Sequence, residues 1–109
     1  MPRFPFFDGT NIWVSNATGN SISVVRPSTG AVLATLTGNG LASPSGGAFD
    51  GQRVLISSNS GDVVSLWKAA DLTPIGSLST GTGTSPLSAC SDGVYFWITL
   101  ADANRLARF

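Results

Sequence analysis

Three aspartates recur at a fixed interval. Asp8, Asp50 and Asp92 stand 42 residues apart, and each is followed by glycine. Carboxylates repeated in this way could gather round one axis and hold a hard cation, which takes oxygen ligands. Asp before Gly also has a purely local use, because the carboxylate closes a turn by accepting hydrogen bonds from the backbone just ahead of it. Apolar runs flank each Asp-Gly pair, as in hairpins, so the pairs are read as turns and no metal ligand is assigned. Trp13, Trp67 and Trp97 offer flat faces on which sugar rings could stack. Trp13 and Trp97 hold equivalent places in the most apolar stretches, where packing accounts for them. Trp67 falls near the end of its stretch, is expected to be the most exposed of the three, and is the candidate sugar platform.

Amides and hydroxyls supply the other candidates. Asn16, Asn20, Asn59 and Asp102 fall in one set of expected loops, and Asn39 falls in a second set rich in glycine. Together with Trp67 these are the candidate ligand-binding residues, and a surface of that kind suits a neutral polar ligand such as a glycan. The competing reading is that Asn, Ser and Gly form loops readily. Gly38-Asn39-Gly40 and Gly81-Thr82-Gly83 lack the lysine and the helix of a phosphate-binding loop.

Composition narrows the chemistry. Histidine and glutamate are both absent from the 109 residues. Mechanisms that pair Ser or Cys with His, and metal sites built on His, are therefore excluded. The one cysteine, Cys90, has no partner for an internal disulfide and no histidine to activate it, so it reads as a packing residue. Six bases balance six acids, which leaves no basic footprint for nucleic acid and no polybasic membrane patch. No apolar run is long enough to span a bilayer as a helix. The reading is non-catalytic, without cofactor.

The elements that would position these residues follow from the same interval. Pro2, Pro44 and Pro86 open three units, 2–43, 44–85 and 86–109. Each unit has a short first strand (3–7, 45–49, 87–91), the Asp-Gly turn, and a second strand that is almost continuously apolar (11–15, 53–57, 95–99). A polar loop leads to a third strand (21–26, 63–68, 105–109), and the first two units add a fourth (31–37, 73–79). A period near 42 with four short strands is the signature of a β-propeller blade, a small antiparallel sheet. Continuous apolar second strands imply sheets covered on both faces, as blades are by their neighbours. The first strands have small centres, Gly46-Gly47 and Ser88-Ala89, as the crowded axis of a propeller demands, and Pro5 is tolerated on an edge.

The chain is thus expected to be a single all-β domain of two blades and three strands of another, an incomplete ring. Propellers close with roughly four to eight blades. Roughly five large side chains on each open flank, at about 1.5–3 kcal/mol apiece, would leave about 10 kcal/mol of burial unused. Self-association is the expected remedy, with two chains supplying six blades. The alternative is that the chain is part of a longer propeller.

The first unit carries a family resemblance. Trp13-Val14-Ser15-Asn16, Asn20-Ser21-Ile22-Ser23-Val24-Val25 and Ser28-Thr29-Gly30-Ala31-Val32-Leu33 resemble the YVTN-repeat β-propeller family, as does the hairpin Phe7-Asp8-Gly9-Thr10-Asn11. The second and third units read Leu55-Ile56-Ser57-Ser58 and Trp97-Ile98-Thr99-Leu100 where the signature falls. The resemblance implies a propeller that serves as a binding or scaffold module. Carbohydrate binding is the alternative, and relation to a propeller lyase or hydrolase a further one.

Overall fold

A computed structural model describes residues 1–109. The chain forms eleven strands: β1 (Pro2–Phe7), β2 (Ile12–Asn16), β3 (Ser21–Val25), β4 (Val32–Leu36), β5 (Pro44–Phe49), β6 (Arg53–Ser58), β7 (Val63–Lys68), β8 (Pro74–Ser79), β9 (Pro86–Ser91), β10 (Phe96–Leu100) and β11 (Arg105–Arg108). They pair into sheets ordered β1-β2-β3-β4, β5-β6-β7-β8 and β9-β10-β11. Every pairing is antiparallel between consecutive strands, so each sheet is a meander that needs only short connections. The expected strands are all present, with ends displaced by about a residue, which is the scatter normal for element ends.

The sheets stack face to face in chain order, and the core lies in the two gaps between them. In the first gap Trp13, Ile22 and Val24 meet Val54, Ile56 and Trp67. In the second, Leu55 and Val64 meet Phe96, Ile98 and Leu100. The period-2 alternation of a strand explains the division. Val54 and Ile56 point back to the first blade, and Leu55 points forward to the third.

Here the structure corrects one expectation. Only β6 is covered on both faces, with Val54 through Ser58 all buried. β2 alternates buried with half-buried residues, and β10 alternates buried with more exposed ones. Their outward faces have no neighbour in this chain, although Ile12, Val14 and Trp97 there are apolar.

The crowded inner strands are as small as the sequence suggested, for a measurable reason. A Cβ on Gly46 would sit 2.7 Å from the carbonyl oxygen of Leu87 on β9. The same crossing is fastened by buried hydroxyls. Ser45 and Ser57, both fully buried, each donate to that Leu87 carbonyl at 2.9 Å.

Candidate functional site

The Asp-Gly loops were read as tight turns, and the structure widens them. Phe7 pairs with Ile12, so four residues intervene. The Asp8 carboxylate closes this loop through Oδ1, which accepts from the backbone N–H of Thr10 at 2.8 Å and of Asn11 at 2.6 Å. Asp50 and Asp92 repeat the pattern with residues two and three places on. The second oxygen is free to reach along the strand. Asp8 Oδ2 accepts from Trp13 Nε1 at 2.8 Å, and Asp92 Oδ2 accepts from Trp97 Nε1 at 2.9 Å. The middle unit has Leu55 in place of tryptophan, and Asp50 Oδ2 takes the Arg53 guanidinium instead, at 2.9 Å. The Trp97 bond, then those from Tyr95 and Val94, hold the Asp92 carboxyl below its ordinary value. Burial alone would raise Asp50, but the hydrogen bonds from Arg53 and Gln52 outweigh it and hold that carboxyl low as well. Each carboxylate is thus committed to its own loop, and no group of three or more His, Cys, Asp or Glu side chains forms.

At the opposite end of the strands the candidate amides are placed as parts of the frame. Asn20 and Asp62 occupy equivalent positions in the loops between second and third strands, both with left-handed backbone at φ near 50°. Asn20 Oδ1 accepts from the backbone N–H of Ser43 at 2.7 Å, and Asp62 Oδ1 accepts from that of Ser85 at 2.8 Å. Each therefore pins the start of the following blade. Asn39 Nδ2 donates to the Leu66 carbonyl at 3.0 Å, fastening the connection between blades. Asn16 Nδ2 donates to Ser23 Oγ at 2.9 Å, and Asp102 Oδ2 accepts from Ser85 Oγ at 2.6 Å. The Asn59 backbone N–H donates to the Ser43 carbonyl. Trp67, expected to be exposed, is 2% exposed and lies in the first core gap. Its Nε1 is buried without a partner. It offers no face to a sugar. Its equivalent Val25 shows why sequence misled: the position is apolar in both units, and it is half-buried on the open face of the first blade but buried where the first blade stands against the second.

The larger of two cavities lies at the Asp-Gly end, away from these amides. It is a cleft of about 660 Å³ between the first and second blades. Thr10 and Asn11 line it from one side, Gln52, Lys68 and Ala69 from the other, and Phe49 and Ile75 supply apolar surface. The repeated Asp8 and the charged Arg53 line it as well, and none of these residues was among the candidate ligand contacts. Their only common signal is position, since all lie in or beside turns at one end of the sheets.

The two outer faces form the remaining surface of note. Phe7 (55% exposed) and Val32 (61%) lie on the open face of the first blade, and Leu106 (60%) lies on that of the third. Trp97 and Tyr95 share the third blade's side, where the Arg108 guanidinium covers the Tyr95 ring at 4.4 Å and the Trp97 ring at 5.9 Å.

No family model and no curated protein sequence matches the chain. Solved structures do match. Streptogramin B lyase superposes with a TM-score of 0.79 at 18% identity, over 98% of this chain and 36% of that one. The WD40 β-propeller domain of Doa1 gives 0.78 at 17% identity, over 99% and 36%. Kuenenia stuttgartiensis hydrazine synthase gives 0.72 at 22% identity, over 84% and 26%. The chain therefore spans between 26% and 36% of these three structures. Meandering sheets stacked in chain order, on a 42-residue period and superposable on propellers, establish an open segment of a β-propeller.

Proposed function

We propose that the chain is a non-catalytic scaffold unit of the YVTN-repeat kind, which completes a propeller ring by binding a second copy of itself. The observation that carries this reading is the apolar surface left on both outer faces. Phe7, Ile12, Val14, Val25 and Val32 lie on one, and Trp97 and Leu106 on the other. Burying several such side chains at about 1.5–3 kcal/mol each rivals the whole stability of a small domain. Two chains supply six blades, within the usual range for closure. Light scattering coupled to size exclusion tests the proposal. It predicts a particle of twice 11.2 kDa whose fraction grows with concentration. A monodisperse particle of 11.2 kDa at all concentrations would reject it.

The cleft favours a second reading, in which the module also binds a small neutral saccharide. Its volume lies within the range of ligand pockets, and Thr10, Asn11 and Gln52 give it hydroxyl and amide groups beside the apolar Phe49 and Ile75. Calorimetry with a panel of mono- and disaccharides provides the test. Gln52→Ala is expected to weaken any binding several-fold, whereas Asn20→Ala, at the far end of the strands, leaves it unchanged. Absence of binding by the native chain to every sugar in the panel would dismiss this reading.

A further inference from the structure

We infer that the self-association proposed above is head to tail, with the outer face of the third blade of one copy seated on the outer face of the first blade of the next. This inference rests on that reading and adds its polarity.

The repeat makes the two open faces complementary. Trp97 and Leu106 lie 84 residues beyond Trp13 and Ile22, the side chains with which the first blade packs on the second. Ile12, Val14 and Val25 lie 42 residues before Val54, Ile56 and Trp67, the side chains that receive them. A third blade placed against the first blade of another copy therefore repeats a packing the molecule already uses. Two like faces brought together repeat nothing found in the chain. Arg108 replaces the Val24 of the buried face, but its guanidinium sits over the Tyr95 ring of its own blade, 4.4 Å from the centroid, which gives the charge a partner there.

A polar pair points the same way. Asn104 is equivalent to the two left-handed residues that clip one blade to the next, and shares their backbone at φ 52°. The side chains of its equivalents, Asn20 and Asp62, accept from the backbone N–H of Ser43 and Ser85. The Asn104 side chain has no partner in this chain, and the residue that Ser43 and Ser85 repeat is Met1. Met1 is already held as they are. Its carbonyl accepts from the Ala17 N–H at 2.9 Å, as those of Ser43 and Ser85 accept from Asn59 and Ala101 at 3.1 Å. The Met1 nitrogen and the Asn104 amide oxygen are thus the two unused halves of a clip made twice elsewhere.

Disulfide trapping tests the polarity. Phe6 faces Gly47 across the first gap, where a Cβ on the glycine would lie 2.8 Å from Phe6 Cζ. The corresponding pair across the proposed interface is Cys90, which is exposed, and Pro5. Pro5→Cys is expected to yield, on mild oxidation, an interchain bond between positions 5 and 90, read by peptide mapping. Links that join only 90 to 90 or 5 to 5 would overturn the head-to-tail arrangement, and closure of the ring with it, while leaving self-association standing. Absence of any associated species would remove both. Asn104→Ala is expected to raise the dissociation constant about tenfold, the scale of one lost hydrogen bond. Asn20→Ala, which breaks the same clip inside the chain, is expected to lower the melting temperature instead. An unchanged dissociation constant for Asn104→Ala would count against the clip.

Discussion

At the scale of single residues, two tryptophans with the same burial do different work. Trp13 is fully buried, stacks on Phe6 with ring centroids 6.1 Å apart, and gives its indole N–H to Asp8, itself only 6% exposed. Trp67 is as buried, but its N–H goes unanswered. A buried donor without a partner forfeits about 1–3 kcal/mol of hydration. Trp67→Phe removes that donor along with some volume, and the two effects offset. Trp13→Phe removes a partner from a buried carboxylate and has nothing to offset it. Urea denaturation should show Trp13→Phe costing at least about 1.5 kcal/mol more than Trp67→Phe. Equal losses would show that the Asp8–Trp13 bond contributes nothing special. The Asp8 and Asp92 loops, alike in sequence, thus differ in consequence, since Asp92 and its tryptophan partner lie on an open face.

At the scale of elements, the inner strand β5 is where the blades come closest. Ser45 and Ser57 hold β5 and β6 to β9 through the Leu87 carbonyl, and Gly46 leaves space for that oxygen. Gly46→Ala would drive a methyl to 2.7 Å from a backbone atom that cannot swing aside. Overpacking of this kind costs about 1–3 kcal/mol. Gly51→Ala is the informative control, because a Cβ there meets nothing within 4 Å and the substitution reports only the φ of 104°. Thermal melts should place Gly46→Ala below the native chain, with exchange of the β9 and β10 amides rising first. If β9 stays as protected as in the native chain, the close approach is not what holds the third blade.

At the scale of the whole molecule, one blade is complete in its surroundings and two are not. The middle sheet has a neighbour against each face of β6, whereas the first and third each turn apolar side chains outward. Area removed from water is the main term that stabilises a chain of this size. A second copy would cover more of it, and mass action would then tie stability to protein concentration. The light-scattering experiment reads that dependence directly. A molecule that closes on a copy of itself would also hold further interblade gaps of the sort that makes the cleft of about 660 Å³.

Much of this was legible in the residues. The 42-residue interval, with Asp-Gly and Pro at fixed points, specified strand order, pairing partners and the end of each sheet, because antiparallel meanders are built from neighbours in sequence. The carboxylate-closed loops were legible too, since an aspartate acts on the backbone two and three residues ahead. Asn20 recurs as Asp62 at the same interval, and could have been recognised from that as a clip rather than as a ligand-facing amide. What stands beside each face was decided only by the tertiary structure. Val25 and Trp67 are equivalent and both apolar, yet only Trp67 is fully buried, because the first blade has no neighbour on that side. The cleft was hidden for the same reason: its walls come from turns of two different blades, which no local pattern brings together. A strand records its own periodicity, but burial belongs to whatever packs against it.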